Sequence, residues 1–229
     1  MLYVIPTPIG NSDDITLRAL KLFQEVDLII TENTGTTKKL LNIHTINYSN
    51  KKFIKFTSHD HHSINSILSL FENQDGILVS EAGTPWLSDP GKLLIIKAQE
   101  IHIPITILPW ATALIPAVIG AQFPTTHRSF YGFLPHKKGR EKLLTQMMHG
   151  SHGSFFYESV HRIEKLLEQL EKLQFMGKIS ISRELSKKFE QIITSDLSNI
   201  QEFIKNNTLP LKWEFVIWLY PSTAHETEE

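Results

Sequence analysis

Gly76-Ile77-Leu78-Val79-Ser80 runs into Glu81-Ala82-Gly83-Thr84-Pro85-Trp86-Leu87-Ser88-Asp89-Pro90-Gly91, and an apolar stretch of helical period follows as far as Ile101. A short apolar run, a loop dense in glycine, proline and small polar residues, and a helix entered through a proline together spell one strand-loop-helix unit. Proline suits that first turn because no N–H is needed there. The unit recurs on both sides. Strands are predicted at residues 2–5, 27–31, 53–57, 76–80 and 105–108, and helices at 16–24, 36–41, 63–71, 91–101 and 111–121. Such alternation implies a mostly parallel sheet covered by helices, with the loops after its strands collected on the edge where open α/β sheets bind ligands.

Beyond residue 124 the pattern changes. A strand at 129–134 leads through Pro135 into His136-Lys137-Lys138-Gly139-Arg140 and a helix to about Met148. Strands at 154–157, 178–183 and 213–220 and helices at 160–173 and 197–206 follow. The expected fold is therefore α/β with two α/β domains: 1–124 with the parallel sheet, 125–220, and a polar tail at 221–229. Ile163, Leu166, Leu167 and Leu170 recur at i, i+3, i+4, i+7, the stripe of a core or dimer face.

Composition removes several classes. The 229 residues include no cysteine, so a disulfide scaffold and a thiolate metal site are excluded. With 23 Lys+Arg against 24 Asp+Glu, no overall basic signature announces a nucleic-acid binder. No apolar run approaches the roughly 20 residues a bilayer requires, and Met1–Pro6 lacks a charged lead, so the expectation is a cytoplasmic protein without membrane contact. Ser58-His59-Asp60-His61-His62 has no second ligand cluster to join it, and no metal is expected.

Four loops are rich enough in turn formers and polar groups to carry chemistry: Pro6-Thr7-Pro8-Ile9-Gly10-Asn11, the long loop beginning at Ser80, Leu108-Pro109-Trp110-Ala111-Thr112-Ala113, and Phe155-Phe156-Tyr157-Glu158-Ser159-Val160-His161-Arg162. Neither G-x-G-x-x-G nor G-x-x-x-x-G-K-[ST] is present, so a phosphate cradle is absent.

A set of ordered segments, Pro6–Asn11 with Asp13–Leu20, Ala82–Pro85 with Ser88–Gly91, Gly132–Pro135, Phe156–Ser159 with His161-Arg162, and Arg183-Glu184-Leu185 followed by Lys187 and Glu190, gives the chain a family likeness from Met1 to about Tyr220. It resembles the tetrapyrrole-methylase superfamily of S-adenosylmethionine-dependent methyltransferases. Within it, the chain is most similar to the branch that methylates the 2′-hydroxyl of a decoding-centre cytidine in 16S ribosomal RNA. The resemblance implies two α/β domains with the cofactor, S-adenosyl-L-methionine, in a cleft between them, usually in a homodimer, and 16S rRNA within the small ribosomal subunit as partner. It implies cofactor contacts from Pro8, Glu81, Gly83, Thr84, Pro85, Pro109, Trp110, Ala111 and Tyr157. A sulfonium cofactor is cationic and amphiphilic, which suits a nearby carboxylate, backbone carbonyls and apolar walls.

Transfer to a ribose hydroxyl also needs a base. Glu32, Glu81, Glu158 and Glu184 are the candidates, and Arg183, Arg162 and Lys187 are placed to hold phosphate or polarise the hydroxyl. Lys137, Lys138, Arg140, Arg162 and Lys187 are the expected RNA contacts.

The chain departs from the family pattern in three places. Leu108-Pro109-Trp110-Ala111 stands where Leu-Pro-Gly-Pro is usual, and Trp110 either stacks on adenine, points away or fills the pocket. Glu32-Asn33-Thr34-Gly35 replaces Glu-Asp-Thr-Arg, and Trp213-Glu214 replaces Gly-Glu. Two further readings stay open beside the enzyme: a catalytically impaired paralogue that binds a partner, and a methylase of another substrate such as a tetrapyrrole.

Overall fold

Apolar runs with no polar alternation need cover on both faces, and that requirement organises the first half of the chain. The computed structural model describes residues 1–57, 63–85, 91–109, 111–123 and 127–223. Strands β1 (Leu2–Val4), β2 (Leu28–Thr31), β3 (Lys52–Lys55), β4 (Gly76–Val79) and β5 (Ile105–Ile107) form one sheet in the order β3-β2-β4-β1-β5, every pairing parallel. All four residues of β2 and of β4 are buried. Helices α1 (Leu17–Glu25) and α2 (Thr34–Ile43) pack on one face through Ala19, Leu22, Phe23 and Leu41 against Ile29, Ile77 and Val79. Helices α3 (Ile64–Leu68) and α4 (Lys92–Glu100) cover the other through Ile64, Ile67, Leu94 and Ile95 against Leu2, Val4, Ile30 and Leu78. Thr16 starts α1 by accepting the Ala19 N–H at 3.0 Å, which satisfies one of the N–H groups a helix start leaves over.

The second unit holds α5 (Leu114–Ala121), β6 (Arg128–Phe133), α6 (Arg140–Met148), β7 (Gly153–Glu158), α7 (Ile163–Lys172), β8 (Gly177–Arg183), β9 (Gln191–Asp196), α8 (Leu197–Lys205) and β10 (Phe215–Pro221). Its sheet runs β6-β7-β10-β8-β9, with β6 parallel to β7 and the remaining pairs antiparallel. The α7 stripe, Ile163, Leu166, Leu167 and Leu170, is buried against Phe156, Ile179, Ile181 and Ile217 as core. The chain divides between Thr112 and Ala113, not after residue 124. Helix α5 goes with the second unit because Gly120 lets its backbone lie directly on Ile192, where a Cβ would collide, and because Thr194 donates to the Ala121 carbonyl at 3.2 Å.

Two differences from the sequence expectation have plain causes. Strand β9 is an edge strand with no fully buried residue, so it lacks the apolar contrast that marks its neighbours. The start of the tail is ordered: Pro221 ends β10, Ser222 N–H donates to the Met176 carbonyl at 2.9 Å, and Thr223 Oγ1 donates to the Gly150 carbonyl at 2.9 Å. Among the described residues no helix is long and apolar enough to cross a membrane.

Candidate active site and nucleic-acid edge

Parallel register gathers the loops of the first unit. Thr7, past β1, and Gly83, past β4, exchange both backbone hydrogen bonds at 2.9 Å as an isolated antiparallel bridge. Thr7 is buried and its hydroxyl donates to the Ser80 carbonyl at 3.3 Å, while the Ser80 hydroxyl donates to the Gly83 carbonyl at 3.1 Å. Thr84 Oγ1 donates to the Ala111 carbonyl at 2.9 Å. Three loops singled out in the sequence are thus stitched together largely by backbone groups. Gly83 sits at φ +83°, and a Cβ there would meet the Ala111 carbonyl at 3.6 Å and Ile9 at 3.7 Å, so the turn presents bare backbone where a side chain would stand.

Beside this knot, β3-β2-β4 order sets Glu32 between two neighbours. Thr31 pairs with Lys55 on β3 and with Val79 on β4, so Glu32 emerges flanked by the ends of both strands. Glu32, Asn33, Thr34, Gly35, Lys55, Thr57 and Glu81 line a cavity of about 420 Å³. Burial, then the Glu81 carboxylate, push the Glu32 carboxyl above its ordinary range, and a hydrogen bond from the Glu81 backbone N–H opposes them. Asn33 caps α2, accepting from Gly35 N–H at 2.9 Å and Thr36 N–H at 3.3 Å, and its amide also donates to Glu81 at 2.6 Å. An aspartate could cap the helix equally well, but it would repel Glu81. Asn33 and Glu81 are thus matched to each other. A second cavity of about 150 Å³ has Pro8, Gly10, Ser12, Thr36, Ser80 and Glu81 in its lining.

In the second unit, register sets Glu158, Phe215, Arg183 and Gln191 in one row across β7, β10, β8 and β9, and Phe133 at the end of β6 pairs with Tyr157. The segments 134–139, 159–162, 184–190 and 206–214 therefore emerge on one edge. Lys137, Lys138, Lys187, Lys188 and Lys212 are exposed there. Tyr157 is half-buried and packs edge-on to Phe130, with ring centroids 5.2 Å apart.

Several expected roles change. Glu158 is wholly buried: its Oε2 accepts from Arg140 Nη2 at 2.7 Å, and its Oε1 pairs with Arg162 Nε at 2.7 Å and accepts the Ser159 N–H at 2.9 Å. Both oxygens are engaged, so this carboxylate is an anchor and not a free base. Arg140, expected among the exposed cations, is 3% exposed and also donates to Gln169 at 2.9 Å. Arg162 donates to the Leu134 carbonyl at 2.9 Å, which fastens the start of the basic segment. Arg183 is buried and donates to Gln191 Oε1 at 2.7 Å, and Glu184 is buried at φ +52° with Lys187 on its Oε1 at 3.1 Å. These two meet partners of their own unit, which leaves Glu32 the most available of the named carboxylates apart from Glu81.

Pro109 is exposed and Pro85 buried. Trp110, residues 58–62 and Ser88-Asp89-Pro90 lie outside the described residues. Among the described residues no three His, Asp or Glu side chains are grouped to hold a metal ion. Thr7, Ser80 and Lys55 were not singled out as site residues from sequence. Lys55 stands at a strand end opposite Thr31, a position that only the β3-β2 register reveals.

A family model described as Tetrapyrrole (Corrin/Porphyrin) Methylases matches residues 1–201. Ribosomal RNA small subunit methyltransferase I of Buchnera aphidicola subsp. Acyrthosiphon pisum is 38% identical over 223 residues, covering 95% of this chain and 77% of that protein. The protein of the same name from Vibrio cholerae serotype O1 is 37% identical over 226 residues, covering 96% and 77%. In fold, the chain is similar to uroporphyrin-III C-methyltransferase from Thermus thermophilus, solved with S-adenosyl homocysteine, at TM-score 0.65 and 12% identity over 97% of each chain.

Proposed function

The chain belongs to the tetrapyrrole (corrin/porphyrin) methylase family, and on that premise we propose that it is an S-adenosyl-L-methionine-dependent methyltransferase acting on the RNA of the small ribosomal subunit. Its finer target is the ribose 2′-hydroxyl of a decoding-centre cytidine in 16S rRNA, within the subunit. Work as a cytoplasmic homodimer belongs to the same proposal.

The observation that carries the reading is the stitched edge of the first sheet. Gly83 keeps the turn free of a side chain, Pro8, Ile9 and Pro85 offer apolar wall, and Glu81 offers negative charge. That lining fits a cationic, amphiphilic sulfonium and would suit a phosphate badly. Pro8, Glu81, Gly83, Thr84, Pro85, Pro109 and Ala111 would hold the cofactor. When bound, S-adenosylmethionine supplies a methyl group made electrophilic by a sulfonium sulfur.

Glu32 takes the proton from the attacking 2′-hydroxyl. A carboxyl raised above its ordinary range is the stronger base once ionised, and its place in an open cavity gives a ribose access. The exposed lysines of the second unit meet phosphates locally, which suits a chain with no global positive field.

Isothermal titration with S-adenosylmethionine tests the cofactor site: heat is expected, and none at high protein concentration refutes the enzyme. Transfer of labelled methyl to small subunits from a strain lacking the modification tests the substrate. Transfer to a free tetrapyrrole precursor instead would move the chain to another branch of the family.

A further inference from the structure

The basic edge of the second unit carries two aromatic rings that no core claims. Trp213 is 60% exposed and Phe189 is 64% exposed. Trp213 adopts φ +72°, a region where a bulky L-residue is strained and glycine is not. Strain held at an exposed ring that gains little from burial points to use of the ring itself.

Cations accompany both rings. Lys187 Nζ lies 5.1 Å from the Trp213 centroid, and Lys188 Nζ lies 5.6 Å from the Phe189 centroid. Their supports are firm. Because Phe215 pairs with Arg183, Trp213 stands two residues before the row, beside the turn that follows β8. Gln191 Nε2 donates to the Thr208 carbonyl at 3.1 Å and fastens the two segments. Within the turn, Arg183 Nη1 donates to the Phe189 carbonyl at 3.4 Å and Ser186 N–H donates to Glu190 at 2.6 Å.

We propose that Trp213 and Phe189 form a stacking platform for unpaired RNA bases, with Lys187 and Lys188 taking the adjoining phosphates. Aromatic faces beside ammonium groups are the chemistry of single-strand binding, since every base has a π-face and every nucleotide a negative charge. A protein partner fits less well, because protein interfaces enrich aromatics while depleting lysine. A paired base fits less well too, because a duplex hides its faces. The inference rests on the RNA substrate proposed above and adds a site beyond the cofactor edge.

The test measures binding of the full chain to a fluorescent single-stranded RNA oligonucleotide, the same RNA as a duplex, and isolated small subunits. Trp213→Gly relieves the backbone strain, so it folds. It is expected to bind single-stranded RNA roughly 5- to 100-fold more weakly, with duplex binding and S-adenosylmethionine titration unchanged, and Trp213→Phe should restore most of the loss. Wild-type affinity in Trp213→Gly overturns the platform and leaves the proposed function standing. A loss confined to intact subunits, absent with naked RNA, also overturns it and marks a ribosomal-protein dock. A wild-type chain that binds cofactor but no RNA overturns both.

Discussion

Replacing Glu158 by glutamine separates an anchoring carboxylate from a catalytic one. The substitution keeps the shape and one acceptor but removes the charge that faces Arg140 and Arg162. Arg162 is 15% exposed and is able to turn toward water, so its share of the loss is small. Arg140 is 3% exposed, and its Nη1 already lacks a hydrogen-bond partner, so its charge would remain buried without an opposite. Breaking a buried pair by removing one partner costs about 3–5 kcal/mol, and the retained acceptor places Glu158→Gln at about 3 kcal/mol. For a chain of this size each kcal/mol moves the midpoint by about 2–4 °C, so a fall of roughly 6–12 °C is expected. Urea and thermal unfolding followed by circular dichroism at neutral pH measure it. Methyl transfer assayed well below both midpoints should keep the wild-type pH profile. The double variant Glu158→Leu with Arg140→Met should regain much of the stability, since apolar replacements remove both charges together. A loss under about 1 kcal/mol refutes the reasoning. A stable but inactive Glu158→Gln would show that the carboxylate is the base after all.

Gly83→Ala is expected to weaken S-adenosylmethionine binding about tenfold or more by titration, because an L-residue at φ +83° is strained and its Cβ fills the bare face; unchanged affinity would move the cofactor elsewhere. Glu81→Gln removes the charge that helps hold the Glu32 carboxyl up, so the acid limb of the pH-rate profile should shift to lower pH, and an unmoved limb excludes Glu32 as the base. A raised carboxyl also makes the folded state bind the proton more tightly, so stability falls as pH climbs from the ordinary carboxylate range through the raised value. Glu32→Gln should therefore be the more stable protein above that window and show no such gain below it, as paired melts at the two pH values would reveal. Reversing Lys137 and Lys138 to glutamate should weaken RNA binding and flatten its log-log salt dependence by about 1 to 2 units, and an unchanged slope would remove these lysines from the contact.

Much of the architecture lies open in the chain because burial leaves a periodic trace. The runs Leu28-Ile29-Ile30 of β2 and Ile77-Leu78-Val79 of β4 are apolar without alternation, as strands covered on both faces must be, and the stripe of α7 repeats at helical spacing. Helix α5 is apolar nearly all round, so its own residues do not say which sheet it covers; Gly120 against Ile192 decides that, across some seventy positions of sequence. The loops past β1, β4 and β5 are legible as a site because glycine and proline write their turn chemistry locally. Side-chain partnership is not written that way. Arg140 reads as the end of a solvated basic run until β7 delivers Glu158 beneath it, and Asn33 reads as a lost charge until Glu81 is seen to need a donor. At Trp213 the left-handed backbone is announced only by the glycine usual at that place, and by no neighbour in this chain.

The position of β10 has a consequence for how the protein comes into being. It is the final strand of the described chain, yet it lies in the middle of its sheet, hydrogen-bonded to β7 on one side and β8 on the other. Until it inserts, those two strands expose open edges, and Glu158 and Arg183 have nothing between them. The edge that carries the lysines and the exposed rings is therefore complete only once β10 is in place. During synthesis, no nascent chain that ends before Phe215 would display it, and a product cut there would offer unpaired strands to aggregation instead of a binding surface.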